Sequence, residues 1–363
     1  MTLCLSAQPW GMATLFADTL VTIEDQNGIP DYGAPLKIEA KFPGPYRAIA
    51  AQLRMPHRKV YALSNTSAFA CAGYADKIAQ FLSEAQKYPD QLDSLPIDMS
   101  EGGSMPLDSF CILANNYGGL EAIGLVARLM EDNTLTVNYM FSSNLLYESP
   151  FGEICYAGSG SSGFLHAIRV FGNQTSIKTL IRRQQPLQIV FELRNMIAQS
   201  AFDQAFARFE RAQSPPSWGG LVEILVRDYQ GGGWSWAPPV IHLFCQAFRN
   251  LETPELSVTQ VPIFIEPNSA EATVKVGIIT ASGYEFETVP IICSDVGIPV
   301  RSMAFHNQRV AVIHVRTDRG GLIDSFLIMD ELQSGIPGVL SETLCLNEAA
   351  FQSIQELYFR TFV

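Results

Sequence analysis

The second residue of the chain, Thr2, carries a hydroxyl that could serve as a nucleophile. Removal of Met1 would leave it with a free α-amine. One residue would then supply both the attacking oxygen and the base that takes its proton. An α-amine titrates near ~7.7–8.0, close to what a general base needs at physiological pH. Thr2 is also small enough for the initiator methionine to be clipped. Many chains begin Met-Thr, so Thr2 gains weight only from residues placed at fixed distances after it.

Four landmarks occur in order. Asp18 stands sixteen residues after Thr2. Arg58-Lys59-Val60-Tyr61-Ala62-Leu63 opens an apolar strand, and Ala68-Phe69-Ala70-Cys71-Ala72-Gly73-Tyr74-Ala75-Asp76 continues it. Tyr156-Ala157-Gly158-Ser159-Gly160 comes next, and then Gly219-Gly220-Leu221-Val222-Glu223-Ile224. Over residues 2–236 this series resembles the proteasome-type N-terminal nucleophile (Ntn) hydrolases, the proteasome beta-subunit-like family.

The resemblance implies roles for particular residues. Thr2 would attack a carbonyl with its own amine as base, and Lys59, paired with Asp18, would lower the pKa values of hydroxyl and amine. The Gly73 N–H would stabilise the oxyanion, where losing one donor can cost ~3–4 kcal/mol, and Ser159 would support the amine. The implied activity is that of a threonine-type peptidase on peptide or protein substrates, working as a homo-oligomer without cofactor or metal. Val21, Cys71 and Ala75 match the family's first specificity pocket; all are small and apolar, which points to a medium hydrophobic side chain.

The chain departs from the family pattern in two places. The interval from Asp18 to Lys59 is longer, and Lys37, in Pro35-Leu36-Lys37-Ile38, is a second candidate for the lysine. The family's aspartate ahead of the Gly-Gly strand is replaced by Ser214-Pro215-Pro216-Ser217-Trp218. A catalytically impaired assembly or binding protein of the same fold therefore stands beside the hydrolase reading. Gly158–Gly163 also spells G-x-G-x-x-G, but no acidic residue occurs between Glu153 and Glu192 to hold a ribose, which argues against dinucleotide binding.

Composition narrows the class. The chain has 363 residues, 47 % of them hydrophobic and only 17 % charged, enough for a large buried core and for subunit interfaces. A net charge of −12 disfavours nucleic-acid and anionic-membrane surfaces, which demand clustered Lys and Arg. Seven cysteines, odd in number and without C-x-x-C spacing, fit a reducing cytoplasm, and the five histidines show no ligand spacing. The N-terminus lacks a basic region and is broken by Pro9-Trp10-Gly11, so it reads as two strands rather than a signal peptide. No apolar run reaches the length of a membrane span.

Around the landmarks the pattern predicts an α+β fold: a four-layer αββα sandwich of two antiparallel sheets, as the resemblance implies, with a C-terminal β-rich extension. Residues 1–250 would form the Ntn-hydrolase domain, with 24–58 as a surface insertion rich in Pro, Gly and charge. Apolar spacing predicts helices over 74–88, 164–171 and 187–211, the last long and amphipathic. Residues 109–116 form an apolar element of either type, and 122–129 and 134–141 pair as a hairpin. Residues 251–363 would form the extension, with hairpins over 274–292 and 310–329 and a closing helix near 350–358.

Overall fold

The computed structural model describes residues 3–7, 12–21, 23–24, 30–65, 68–73, 83, 109–117, 120–129, 135–139, 146–149, 152–158, 160, 164–165, 168, 186–210, 218–227, 233–249, 254–257, 260–280, 283–303, 308–317 and 324–331. The content is mixed, with many strands and few helices. In chain order, β1 (Cys4–Ala7) and β2 (Thr14–Asp18) form a hairpin, followed by the short pair β3 (Ile23–Glu24) and β4 (Pro30–Asp31). A 3₁₀ turn (Lys37–Lys41) and α1 (Gly44–Ala51) lead into β5 (Val60–Ala62) and β6 (Ala68–Gly73). Then come β7 (Ser109–Tyr117), β8 (Leu120–Leu129), β9 (Leu135–Tyr139), β10 (Leu146–Ser149) and β11 (Gly152–Ala157). The long helix α2 (Pro186–Glu210) precedes β12 (Val222–Arg227) and β13 (Trp234–Trp236).

These elements build two sheets. The first runs β10-β11-β1-β2-β12-β13 and ends on the two-residue β19 (Arg301–Ser302), with every pairing antiparallel except the last. The second is the antiparallel series β5-β6-β7-β8-β9. They face one another through Cys4, Ala13, Leu15, Ala17, Leu225, Trp234 and Trp236 from the first and the smaller Val60, Ala62, Ala68 and Ala70 from the second. Period-two alternation accounts for this, since Phe16, Val222, Ile224 and Val226 point the other way, into a core shared with Ile189, Leu193, Met196 and Ile197 of α2.

A third sheet lies beyond them in the chain, ordered β18-β17-β16-β14-β20-β21, with β15 (Pro254–Ser257) on β14. Its strands are β14 (Val240–Arg249), β16 (Gln260–Asn268), β17 (Thr273–Thr280), β18 (Gly283–Pro290), β20 (Gln308–Thr317) and β21 (Asp324–Glu331). The hairpins expected over 274–292 and 310–329 correspond to β17–β18 and β20–β21. Strand β14, which starts at Val240, pairs with both β16 and β20 and so belongs to this third sheet.

Two expectations are corrected by packing. Residues 24–58 are not a surface excursion throughout: Ile38, Phe42, Tyr46, Ile49, Ala50 and Leu53 are buried against Phe202 and Phe206 of α2 and Phe244 and Phe264 of the third sheet. Pro and Gly residues run through this segment, Pro43-Gly44-Pro45 among them, and mask its apolar face in the sequence. Helix α2 is also more than amphipathic. One side meets the first sheet and the other meets α1 and the third sheet, so it is apolar most of the way round, as an enclosed helix must be. Of the helix expected over 164–171, residues 164, 165 and 168 are helical, while the helices expected over 74–88 and 350–358 lie outside the described residues save for Ser83. No helix among the described residues is long and apolar enough to cross a membrane.

Among the polar residues of α2 is Glu192, and burial alone pushes its carboxyl up to about 7. A carboxyl raised in the folded state destabilises the fold as pH climbs from its ordinary value toward the raised one, and the penalty is complete above that. Glu192→Gln should therefore raise stability by roughly 2–3 kcal/mol at pH 8. The gain should vanish near pH 4.5, as measured by urea unfolding at the two pH values.

Candidate active site

Asp18 ends β2, and Lys59 sits immediately before β5, so the two sheets meet where these residues meet. Both are almost fully buried, and the Lys59 Nζ donates to Asp18 Oδ1 at 2.7 Å. The ammonium also donates to the Leu20 carbonyl. Asp18 Oδ1 accepts the Leu3 amide at 2.9 Å, and Oδ2 accepts the Gly219 amide at 2.8 Å. Three donors thus surround one buried carboxylate, which offsets the loss of its hydration. Lys37 takes no part: it is exposed in the 3₁₀ turn.

The Gly219-Gly220 pair has a backbone reason. Gly219 has φ +146° and Gly220 φ +75°, where side chains are strained. A Cβ at Gly219 would lie 2.3 Å from Gln52 Oε1, and one at Gly220 2.6 Å from Thr19 Oγ1. Those same oxygens accept from the loop: Gln52 Oε1 takes the Gly220 amide at 2.8 Å and Thr19 Oγ1 takes the Leu221 amide at 3.0 Å. The loop is thereby pinned so that its Gly219 N–H points at Asp18.

Gly160 approaches the same place. A Cβ there would fall 2.6 Å from the Trp218 ring and 2.9 Å from Leu3 Cβ, which brings the glycine loop against the residue next to Thr2. Gly73 closes β6, paired with Ser109 of β7. Two residues before it, the Cys71 carbonyl accepts the Cys4 thiol at 2.8 Å, fastening β6 to β1. Burial raises the Cys4 thiol well above its ordinary pKa against the opposing pull of Lys59, so it remains a donor. Thr2, Ser159 and Ala75 lie outside the described residues. Of the expected pocket residues, Cys71 is buried and Val21 half-buried.

The structure therefore brings Asp18, Lys59, Gly219, Gly160 and the Leu3 amide into one locality. The chain matches no family model and no curated protein. Among the described residues no group of His, Cys, Asp or Glu is placed to hold a metal ion.

Three nearby residues have roles that sequence reasoning missed. Glu223 is buried in β12 and accepts from Arg58 Nε at 3.1 Å, Ser269 Oγ at 3.1 Å and, more distantly, the Lys59 amide at 3.4 Å. Burial raises its carboxyl and Arg58 pulls it back. The signal was a lone carboxylate inside the apolar run Leu221–Val226. Arg58 and Gln52 offered no comparable signal, because each gains its partner only through the fold.

Removing one partner of a buried pair leaves the other charge uncompensated. Lys59→Met should lower unfolding free energy by ~3–5 kcal/mol, whereas Lys37→Ala at an exposed position should stay within about 0.5 kcal/mol. Chemical denaturation of the two variants checks both.

Proposed function

We propose that the protein is a threonine-type Ntn hydrolase, a peptidase or amidohydrolase whose nucleophile is Thr2 exposed by removal of Met1, built on a four-layer αββα sandwich. The observation that carries this reading is the buried Asp18–Lys59 pair whose carboxylate holds the Leu3 amide. That nitrogen belongs to the peptide bond joining Leu3 to Thr2, so the pair stands one covalent link from the proposed nucleophile.

In this mechanism the Thr2 amine takes the hydroxyl proton as the oxygen attacks the substrate carbonyl. The same proton then passes to the leaving amine, and water hydrolyses the acyl-enzyme. Lys59, its two bonded hydrogens committed to Asp18 and Leu20, supplies a fixed positive charge that favours the neutral amine and the developing alkoxide. Gly73 would donate its amide to the oxyanion and Ser159 would steady the amine. A homo-oligomer in the cytoplasm belongs to the same proposal, with mass by light scattering several times 40.0 kDa.

The catalytically impaired binding or assembly protein rests on one specific observation. The Ser214-Pro215-Pro216-Ser217-Trp218 run ahead of the Gly-Gly strand, where the family pattern has an aspartate, brings no carboxylate.

Thr2→Ala should abolish hydrolysis of small hydrophobic peptides and labelling by an epoxyketone, while Thr2→Ser retains part of both. Native protein should begin at Thr2 by intact mass, and an uncleaved N-terminal tag should remove activity where a C-terminal tag does not. Full turnover with Met1 in place would exclude the α-amine as base.

A further inference from the structure

We propose that Glu223 is a positioning residue for Lys59, holding the lysine's main chain and the neighbouring Arg58 so that the ammonium meets Asp18, and that Ser269, in the turn after β16, completes this clamp. The inference rests on the reading of Lys59 as part of a hydrolytic site.

Successive side chains of an extended segment leave on opposite sides, so fixing one directs the next. Arg58 is fixed thoroughly. Its Nε meets Glu223 Oε1, its other arm donates to the Ser269 carbonyl, and its guanidinium carbon lies 4.7 Å over the Trp236 ring. With Arg58 committed to that side, Lys59 is turned toward Asp18. The second Glu223 oxygen faces the Lys59 amide, and the Cys71 amide donates to the Lys59 carbonyl at 2.7 Å, so the main chain is held at both ends of the residue.

The segment needs such support, because β5 is only three residues long. The chain after β18 supplies more of it. Ile292 N donates to the Pro56 carbonyl at 2.8 Å, Arg58 N to the Ile292 carbonyl at 2.9 Å, and Ile298 N to the Ala62 carbonyl at 2.8 Å. Ser269, just past β16, donates its hydroxyl to Glu223 while its carbonyl receives Arg58. The third sheet thus closes on the strand that carries the lysine. As a stabilising device alone the arrangement is poor, since a carboxylate inside an apolar strand loses much of its hydration.

The test uses full-length protein in which lysines carry ¹⁵N at Nζ. A buried, hydrogen-bonded ammonium exchanges slowly and gives a resolved resonance, identified as Lys59 by its loss in Lys59→Arg. In Glu223→Gln and in Ser269→Ala that resonance should shift or broaden. If the wild type hydrolyses peptides, kcat should fall about tenfold in Glu223→Gln and about threefold in Ser269→Ala, with KM held within about twofold. A folded Glu223→Gln protein whose Lys59 resonance stays at its wild-type position overturns the proposal. Should Glu223→Gln not fold, an unmoved resonance in Ser269→Ala overturns it equally. Absence of hydrolysis in the wild type would defeat the enzyme reading instead, and the resonance would still decide the role of Glu223.

Discussion

The buried contact between Asp18 and Lys59 is the constraint on which the surrounding structure depends. Each charge loses several kcal/mol of hydration on burial, and their mutual attraction offsets this only when the remaining lone pairs and protons are also satisfied. That requirement reaches outward. It uses the Leu3 and Gly219 amides and the Leu20 carbonyl, so the β1–β2 hairpin, the glycine loop and the turn after β2 must all arrive together. The glycine loop in turn needs backbone angles that only glycine adopts easily, and Gln52 and Thr19 to hold it there. A local electrostatic requirement thus becomes a specification for how two sheets meet.

The same device recurs at other junctions. Glu39 pairs with Arg54 where the 3₁₀ turn folds back on the end of α1, and Glu223 with Arg58 where β12 meets the approach to β5. Glu266 pairs with Arg194 where the third sheet meets α2. Few charges occur in this chain, and these four carboxylates lie inside with a cation each. Apolar burial supplies the bulk of the driving force but is indifferent to register. Buried pairs are poor sources of net stability and severe judges of geometry, so here they fix which elements touch.

Local pattern carried much of the architecture. The β17–β18 and β20–β21 hairpins, the strands at β8 and β9 and the extent of α2 are accounted for by alternation, helical spacing and turn residues. The hidden part is non-local. Phe42, Tyr46 and Ile49 lie in a stretch whose prolines and glycines advertise a loop, and only α2 and the third sheet give them something to bury against. The Asp18–Lys59 contact was legible through a family-like spacing; the roles of Glu223, Gln52 and Arg58 were not, because each partner comes from a distant segment. The histidines show the same limit. They have no ligand spacing in sequence, yet His242 Nδ1 and His314 Nε2 lie 2.9 Å apart on the paired strands β14 and β20.

That histidine pair belongs to a buried polar cluster through which Arg194 of α2 ties the third sheet to the rest. Glu266 receives Arg194 and the Val240 and Val222 amides; burial raises its carboxyl, and Arg194 pulls it back. Burial and the charge of Arg194 push His242 down to about 3, so His242 is a neutral ring. A neutral imidazole has one donor and one acceptor nitrogen. If Nε2–H donates to Glu266 Oε1 at 3.0 Å, then Nδ1 must accept, and the proton between the histidines belongs to His314. Hydrogen bonds then run from His314 through His242 to Glu266, which also accepts from Arg194, with Phe202 of α2 edge-on to both rings. Arg194 meanwhile donates to the Pro238 and Val222 carbonyls, so the cluster reaches β12, next to Glu223. Separating the third sheet would leave the Glu266 carboxylate and the Arg194 guanidinium without each other, while His242 and His314 would keep their contacts within the sheet. The helix, strand β12 of the first sheet and the C-terminal sheet are therefore bound by polar satisfaction as well as by apolar packing.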